Sequence, residues 1–192
     1  MCLKAKFYKN LAFCAFIFSF IFSASFIIYN IFFGFDLILE LYFYTGIFAL
    51  LFLHLSIIFS LFKFKYTKTY PKLLGLFGGI WLFLHFLVYF VFSKNLSVVK
   101  LYEDISTRVF EGSGFVAFII IFLMFLSSFK RFKKLEKVRK LGYLCLVIAS
   151  YHYFLSAKVP QIFEYLALGL SLFYFILRYT KFRRSLIAEN LR

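Results

Sequence analysis

The chain has 192 residues, of which 64% are hydrophobic and 25% aromatic, with 33 Phe among them. A water-soluble domain of this length cannot bury that much apolar surface, so the bilayer is its natural solvent. The formal charge of +15 does not mark a nucleic-acid binder, because the basic residues lie between long apolar runs rather than along one polar face.

The first apolar run, 11–33, is too long for the core of a signal peptide, and no A-x-A-like site closes it. It reads as a retained first helix. Further runs follow at about 45–62, 73–93, 112–129, 141–157 and 162–179, each near the roughly 20 residues that cross about 30 Å of hydrocarbon. Backbone groups in lipid must be satisfied within their own segment, so all are predicted to be helical. The expected fold is an all-α bundle of six transmembrane helices, one domain over residues 1–192. Pro71 opens the third helix, where a missing N–H costs nothing, and Pro160 lies in the short turn between the fifth and sixth. The longest connection, 94–111, is mixed in charge and too short for a domain.

Orientation follows from the loops. Lys4, Lys6 and Lys9 precede the first helix, and Lys63, Lys65, Lys68 and Lys72 fill the second loop. Lys130, Arg131, Lys133, Lys134, Lys137, Arg139 and Lys140 fill the fourth, and Arg178, Lys181, Arg183, Arg184 and Arg192 lie in the tail. The opposite side has only Lys94, Lys100, Arg108 and Lys158, facing Asp36, Glu40, Glu103, Asp104, Glu111 and Glu164. Both termini are therefore expected in the cytoplasm. The basic segment 130–140 is read as the orientation signal itself; docking a partner or a flavin phosphate is the alternative.

Cys2, Cys14 and Cys145 have no C-x-x-C or C-x-x-C-H spacing, which excludes a thiolate zinc site and covalent haem attachment. Cys14 and Cys145 read as small apolar residues, and a lipid anchor on Cys2 would add little to a chain with several spans. The spans hold no paired carboxylates, glycine-rich phosphate loop or Ser-His-Asp pattern.

They do hold all the histidines, His54, His85 and His152. An ionisable side chain at membrane depth is costly and points to function, although each could simply hydrogen-bond across helices. At about 1.5 Å per residue, His85 and His152 lie roughly 20 and 18 Å from the cytoplasmic edge, at one level in the outer half of the bilayer. Two neutral imidazoles at one level can clamp a haem iron from both sides. Gly75, Gly78 and Leu82 below His85, and Gly142, Cys145 and Ala149 below His152, share helix faces with them. Such small-residue stripes serve either close helix packing or space for a macrocycle, and the histidine at the top of each favours the second. His54 lies about 14 Å from the same edge, offset from the pair. It is read as a supporting donor or packing residue, or as an alternative ligand.

Thr45-Gly46 with Ala49-Leu50, then Leu73-Leu74-Gly75-Leu76 leading to Leu84-His85 and Tyr89, resemble the MsrQ (YedZ) family. Arg108, Gly114, Tyr143, His152-Tyr153 and Lys158 extend the resemblance over nearly the whole chain from about Tyr44. That family supplies the haem-binding membrane subunit of a periplasmic methionine sulfoxide reductase system and belongs to the ferric-reductase-like transmembrane group. The resemblance implies a bacterial inner-membrane subunit with haem b. It would pass electrons from a cytoplasmic flavin reductase or the quinone pool to a periplasmic molybdopterin enzyme, MsrP. FMN or a quinone is then a further cofactor, and catalysis on oxidised methionine lies in the partner. Family members commonly carry another histidine near the start of the fifth helix, where this chain has Arg139, and the matching offset on the third helix gives Lys72. An inner-leaflet haem therefore lacks its usual ligands. The residues lead to one haem b with His85 and His152 as axial ligands to iron. A stand-alone ferric or other metal reductase and a non-redox scaffold or transporter are the alternatives.

Overall fold

The structure, a computed structural model, describes residues 2–33, 36–62 and 67–180. Lys63, Lys65, Lys181, Arg183, Arg184 and Arg192, which enter the charge count above, lie outside the described residues, as does the side chain of Cys2. Among the described residues the fold is helical throughout: α1 (Cys2–Phe32), α2 (Leu37–Phe62), α3 (Tyr70–Val88), α4 (Val98–Thr107), α5 (Val109–Leu126), α6 (Gly142–Ser156) and α7 (Ile162–Tyr179). Five of these, all but α4 and α6, are long and apolar enough to cross a membrane. Many large apolar side chains face outward, including Phe18, Ile21, Leu51, Phe83, Phe122 and Phe173. That is the surface of a multi-pass membrane protein.

The apolar runs located the helices, and polar chemistry set their ends. α2 begins at Leu37 rather than Thr45, because Asp36 Oδ1 accepts the Ile38 and Leu39 amides at 2.9 and 3.3 Å. Pro71 stands in the first turn of α3 as expected. α7 opens with a reciprocal capping box in which Gln161 N–H donates to Glu164 Oε2 at 2.9 Å. α6 is shorter than expected, with 15 residues. At about 1.5 Å per residue it covers roughly 22 Å. The basic segment before it is not a plain loop but a 3-10 helix, Lys130–Leu141, interrupted at Phe132.

Packing pairs α2 with α3, α5 with α6 and α6 with α7, while α1 lies across α2 and α3. One core layer, Leu50, Leu53, Ile57, Ala117, Ile121, Cys145, Leu146 and Tyr174, joins α2, α5, α6 and α7. The other, with Ala12, Phe52, Phe77 and Trp81, joins α1, α2 and α3. In it Phe16 stacks on Phe77 at 4.2 Å and Phe20 on Trp81 at 4.1 Å, while Trp81 Nε1 donates to Ser19 Oγ.

The small-residue stripes are resolved by this packing. A methyl on Gly78 would meet the Ala49 carbonyl and Leu53, both at 3.3 Å, and one on Gly75 would meet Ser56 Oγ at 3.4 Å. A methyl on Gly142 would meet Met124 Cε at 3.2 Å. These glycines bring helices together; they do not hold space open for a macrocycle.

Candidate functional site

His85 on α3 and His152 on α6 come from helices far apart in sequence, and their ring centres lie 6.5 Å apart with planes at 78°. Each histidine rests on a glycine of a third helix. A methyl on Gly46 of α2 would lie 3.1 Å from His85 Cε1, and one on Gly114 of α5 would lie 2.6 Å from His152 Cε1. Aromatic rings complete the walls. Phe110 stacks on His152 at 4.3 Å and 10°, and Tyr42 meets His85 edge-on at 5.8 Å.

Hydrogen bonds orient both imidazoles. His152 Nδ1 lies 2.9 Å from the Phe110 carbonyl oxygen. A carbonyl can only accept, so Nδ1 carries the proton. His85 Nδ1 lies 3.1 Å from Thr45 Oγ1, and that hydroxyl donates its own proton to the Leu41 carbonyl at 2.5 Å. With its proton committed there, Thr45 Oγ1 accepts from His85 Nδ1–H. The hydrogen bonds of both rings thus run through Nδ1, which leaves the lone pair on Nε2 in each, the tautomer that binds metal. Both side chains keep some accessible surface.

The spacing of the pair would allow both rings to hold one metal between them. An imidazole nitrogen binds a transition metal at about 2.0–2.1 Å and lies about 1.1 Å from its ring centre, so two imidazoles that shared one metal would have ring centres up to about 6.3 Å apart. The observed 6.5 Å is close to that. Among the described residues no cluster of three or more His, Cys, Asp and Glu surrounds the pair. Two ligands alone hold a bare ion poorly, whereas a porphyrin supplies its own four nitrogens and needs only the axial two. A separate apolar cavity of about 310 Å³ lies between α3 and α5, lined by Leu82, Phe83, Ile121 and Phe122 among others, and neither histidine lines it.

His54 is differently placed. Its Nδ1 faces the Leu50 carbonyl at 3.0 Å, its Nε2 faces the Ala167 carbonyl at 3.3 Å, and its ring lies 6.2 Å from that of Tyr174. Both nitrogens are directed at backbone oxygens, and the ring links α2 to α7. Arg139 donates to the Ser127 hydroxyl at 2.9 Å and to the Ser127 carbonyl at 2.6 Å, which satisfies groups at the end of α5.

The α4 end of the bundle lies beyond the histidine pair. One turn after His85 the helix loosens into a π-turn, Tyr89–Ser93, a local adjustment frequent near functional sites. Tyr42 and Ser93 hydroxyls bond at 2.6 Å. Lys94 pairs with Asp104, and Arg108 reaches Asp104 at 3.8 Å and Glu111 at 3.3 Å, so these four side chains form one network.

Sequence reasoning singled out His85 and His152, which the structure brings together, but not the residues they rest on. Thr45, Gly46 and Gly114 stood among the residues that carry the resemblance, without an assigned role. Phe110 had no signal at all, since it acts through its backbone carbonyl and is one Phe among 33. No family model, curated protein or solved structure matches the chain. The resemblance to MsrQ therefore rests on the residues that carry it.

Proposed function

We propose that the chain is a membrane electron-transfer subunit that holds haem b between His85 and His152. The observation that carries this reading is the close pair, ring centres 6.5 Å apart, with each Nδ1 proton committed to a protein oxygen. A helix-packing role would need neither the shared level nor two free Nε2 lone pairs. Haem bound there supplies a one-electron Fe(III)/Fe(II) couple in a low-dielectric site. The chain's own residues hold the ligand tautomers, set the ring orientations and exclude water with Tyr42 and Phe110.

In this reading the chain has six spans with both termini in the cytoplasm of a bacterial inner membrane. The lysines and arginines of the N-terminal segment and of 130–140 support that orientation. α6 forms the sixth span, with the 3-10 segment extending it at the basic end. The pair then lies in the outer half of the bilayer, toward the α4 end. Electrons would come from a cytoplasmic flavin reductase or a quinol. They would leave to a periplasmic molybdopterin reductase of oxidised methionine, as the resemblance to MsrQ implies, and substrate chemistry would belong to that partner.

Purified protein should show a six-coordinate b-type spectrum and about one haem per chain by pyridine haemochrome titration. His85→Ala and His152→Ala should each abolish or severely perturb it. Wild type that stays colourless after haem reconstitution refutes the cofactor. Deletion of the gene should leave periplasmic oxidised methionines unrepaired while a dye donor still drives the isolated partner. Unchanged repair would remove that partner from the scheme and leave the haem standing.

A further inference from the structure

We infer that Thr45 is a positioning residue for His85, setting both its ring orientation and its donor strength toward the iron. The inference rests on the haem reading above. Thr45 is buried at 5% exposure on α2, and its hydroxyl is held on two sides: it donates to the Leu41 carbonyl and accepts from His85 Nδ1. Gly46, the next residue, lies under the same imidazole. The dipeptide divides the task. Gly46 lets the ring approach α2 and bounds its tilt. Thr45 selects which ring edge faces α2, because a ring flipped by half a turn would place a C–H against the hydroxyl oxygen.

The two histidines differ in a way that can be tested. His152 is oriented by a backbone carbonyl, which no side-chain substitution removes. His85 bonds to the Thr45 side chain, with the Tyr42 backbone carbonyl also beside the ring, so part of its donor strength can be altered without changing a ligand. An Nδ1–H that donates to oxygen makes an imidazole more electron-rich and favours the ferric state. Removing the acceptor should weaken the Nε2–iron bond and raise the reduction potential.

Thr45→Val keeps the shape and removes the acceptor, whereas Thr45→Ser keeps the acceptor and removes a methyl. Outer partners of metal ligands typically contribute about 10–100-fold in affinity. Haem transfer from Thr45→Val to excess apomyoglobin should be faster by about that factor, with a higher midpoint potential and an altered low-spin spectrum. Thr45→Ser should match wild type in all three. If the valine variant does not accumulate, Thr45→Ala removes the same acceptor and is read identically. Retention, potential and spectrum unchanged in the valine or alanine variant overturn the role of Thr45, with the haem reading intact. A wild type that takes up no haem overturns both.

Discussion

Glycine-to-alanine substitution separates the ligand seat from ordinary helix packing, because three glycines differ only in what a methyl would meet. At Gly114 the added carbon would lie 2.6, 2.8 and 3.1 Å from His152 Cε1, Nδ1 and Nε2. That ring cannot easily withdraw, since Nδ1 is bonded to the Phe110 carbonyl and its face is stacked on Phe110. At Gly46 the corresponding approaches to His85 are 3.1, 3.3 and 3.8 Å, which a shift of a few tenths of an ångström relieves. At Gly169 nothing lies within 4 Å. Replacing Gly by Ala in a helix contributes about 0.5–1 kcal/mol of stability, and overpacking a core costs about 1–3 kcal/mol. Gly169→Ala should therefore gain about 0.5–1 kcal/mol, Gly46→Ala should be near neutral, and Gly114→Ala should lose about 0.5–2 kcal/mol. Unfolding in mixed micelles followed by far-ultraviolet circular dichroism ranks the three. Haem content of each variant shows whether the Gly114 loss reaches the site. A Gly114→Ala protein as stable as Gly169→Ala, with full haem, would refute the seat.

Reporter fusions after Lys68 and Lys134 should read as cytoplasmic and fusions after Lys100 as periplasmic; the reverse pattern would overturn the orientation and the depth of the histidine pair. His54→Ala should keep most of the haem and lose about 1 kcal/mol, the typical worth of one hydrogen bond, from the α2–α7 contact. A variant that loses one haem from a measured ratio of two would make His54 a ligand instead.

Much of the architecture could be read from the chain alone because lipid leaves few options. A run of apolar residues near 20 must be a helix, and its ends need only a polar residue to stop it. The runs therefore located α3, α5, α6 and α7 to within a few residues, whereas α1 begins at Cys2 and α2 at Leu37, well before the runs that marked them. The departures have local causes: Asp36 caps α2 earlier than its apolar run begins, and the basic segment before α6 coils into a 3-10 helix. The histidines were legible for the same reason, since an imidazole within an apolar span stands out against everything around it.

What periodicity cannot supply is the neighbour across a helix contact. Gly75 and Gly78 lie on the same face as His85, yet their missing side chains admit α2 rather than a macrocycle. Gly46 and Gly114 share no helix with the histidines they seat, so no spacing within one segment could identify them. The choice of tautomer was equally hidden: it depends on Thr45 Oγ1 and the Phe110 carbonyl, contributed by α2 and by α5. Which segments become long apolar helices is a property of each segment in one solvent, and the sequence by itself determines it. Which ring nitrogen keeps its lone pair is settled only when four helices meet, because hydrogen-bond direction and close contact belong to pairs of atoms that the chain order does not relate.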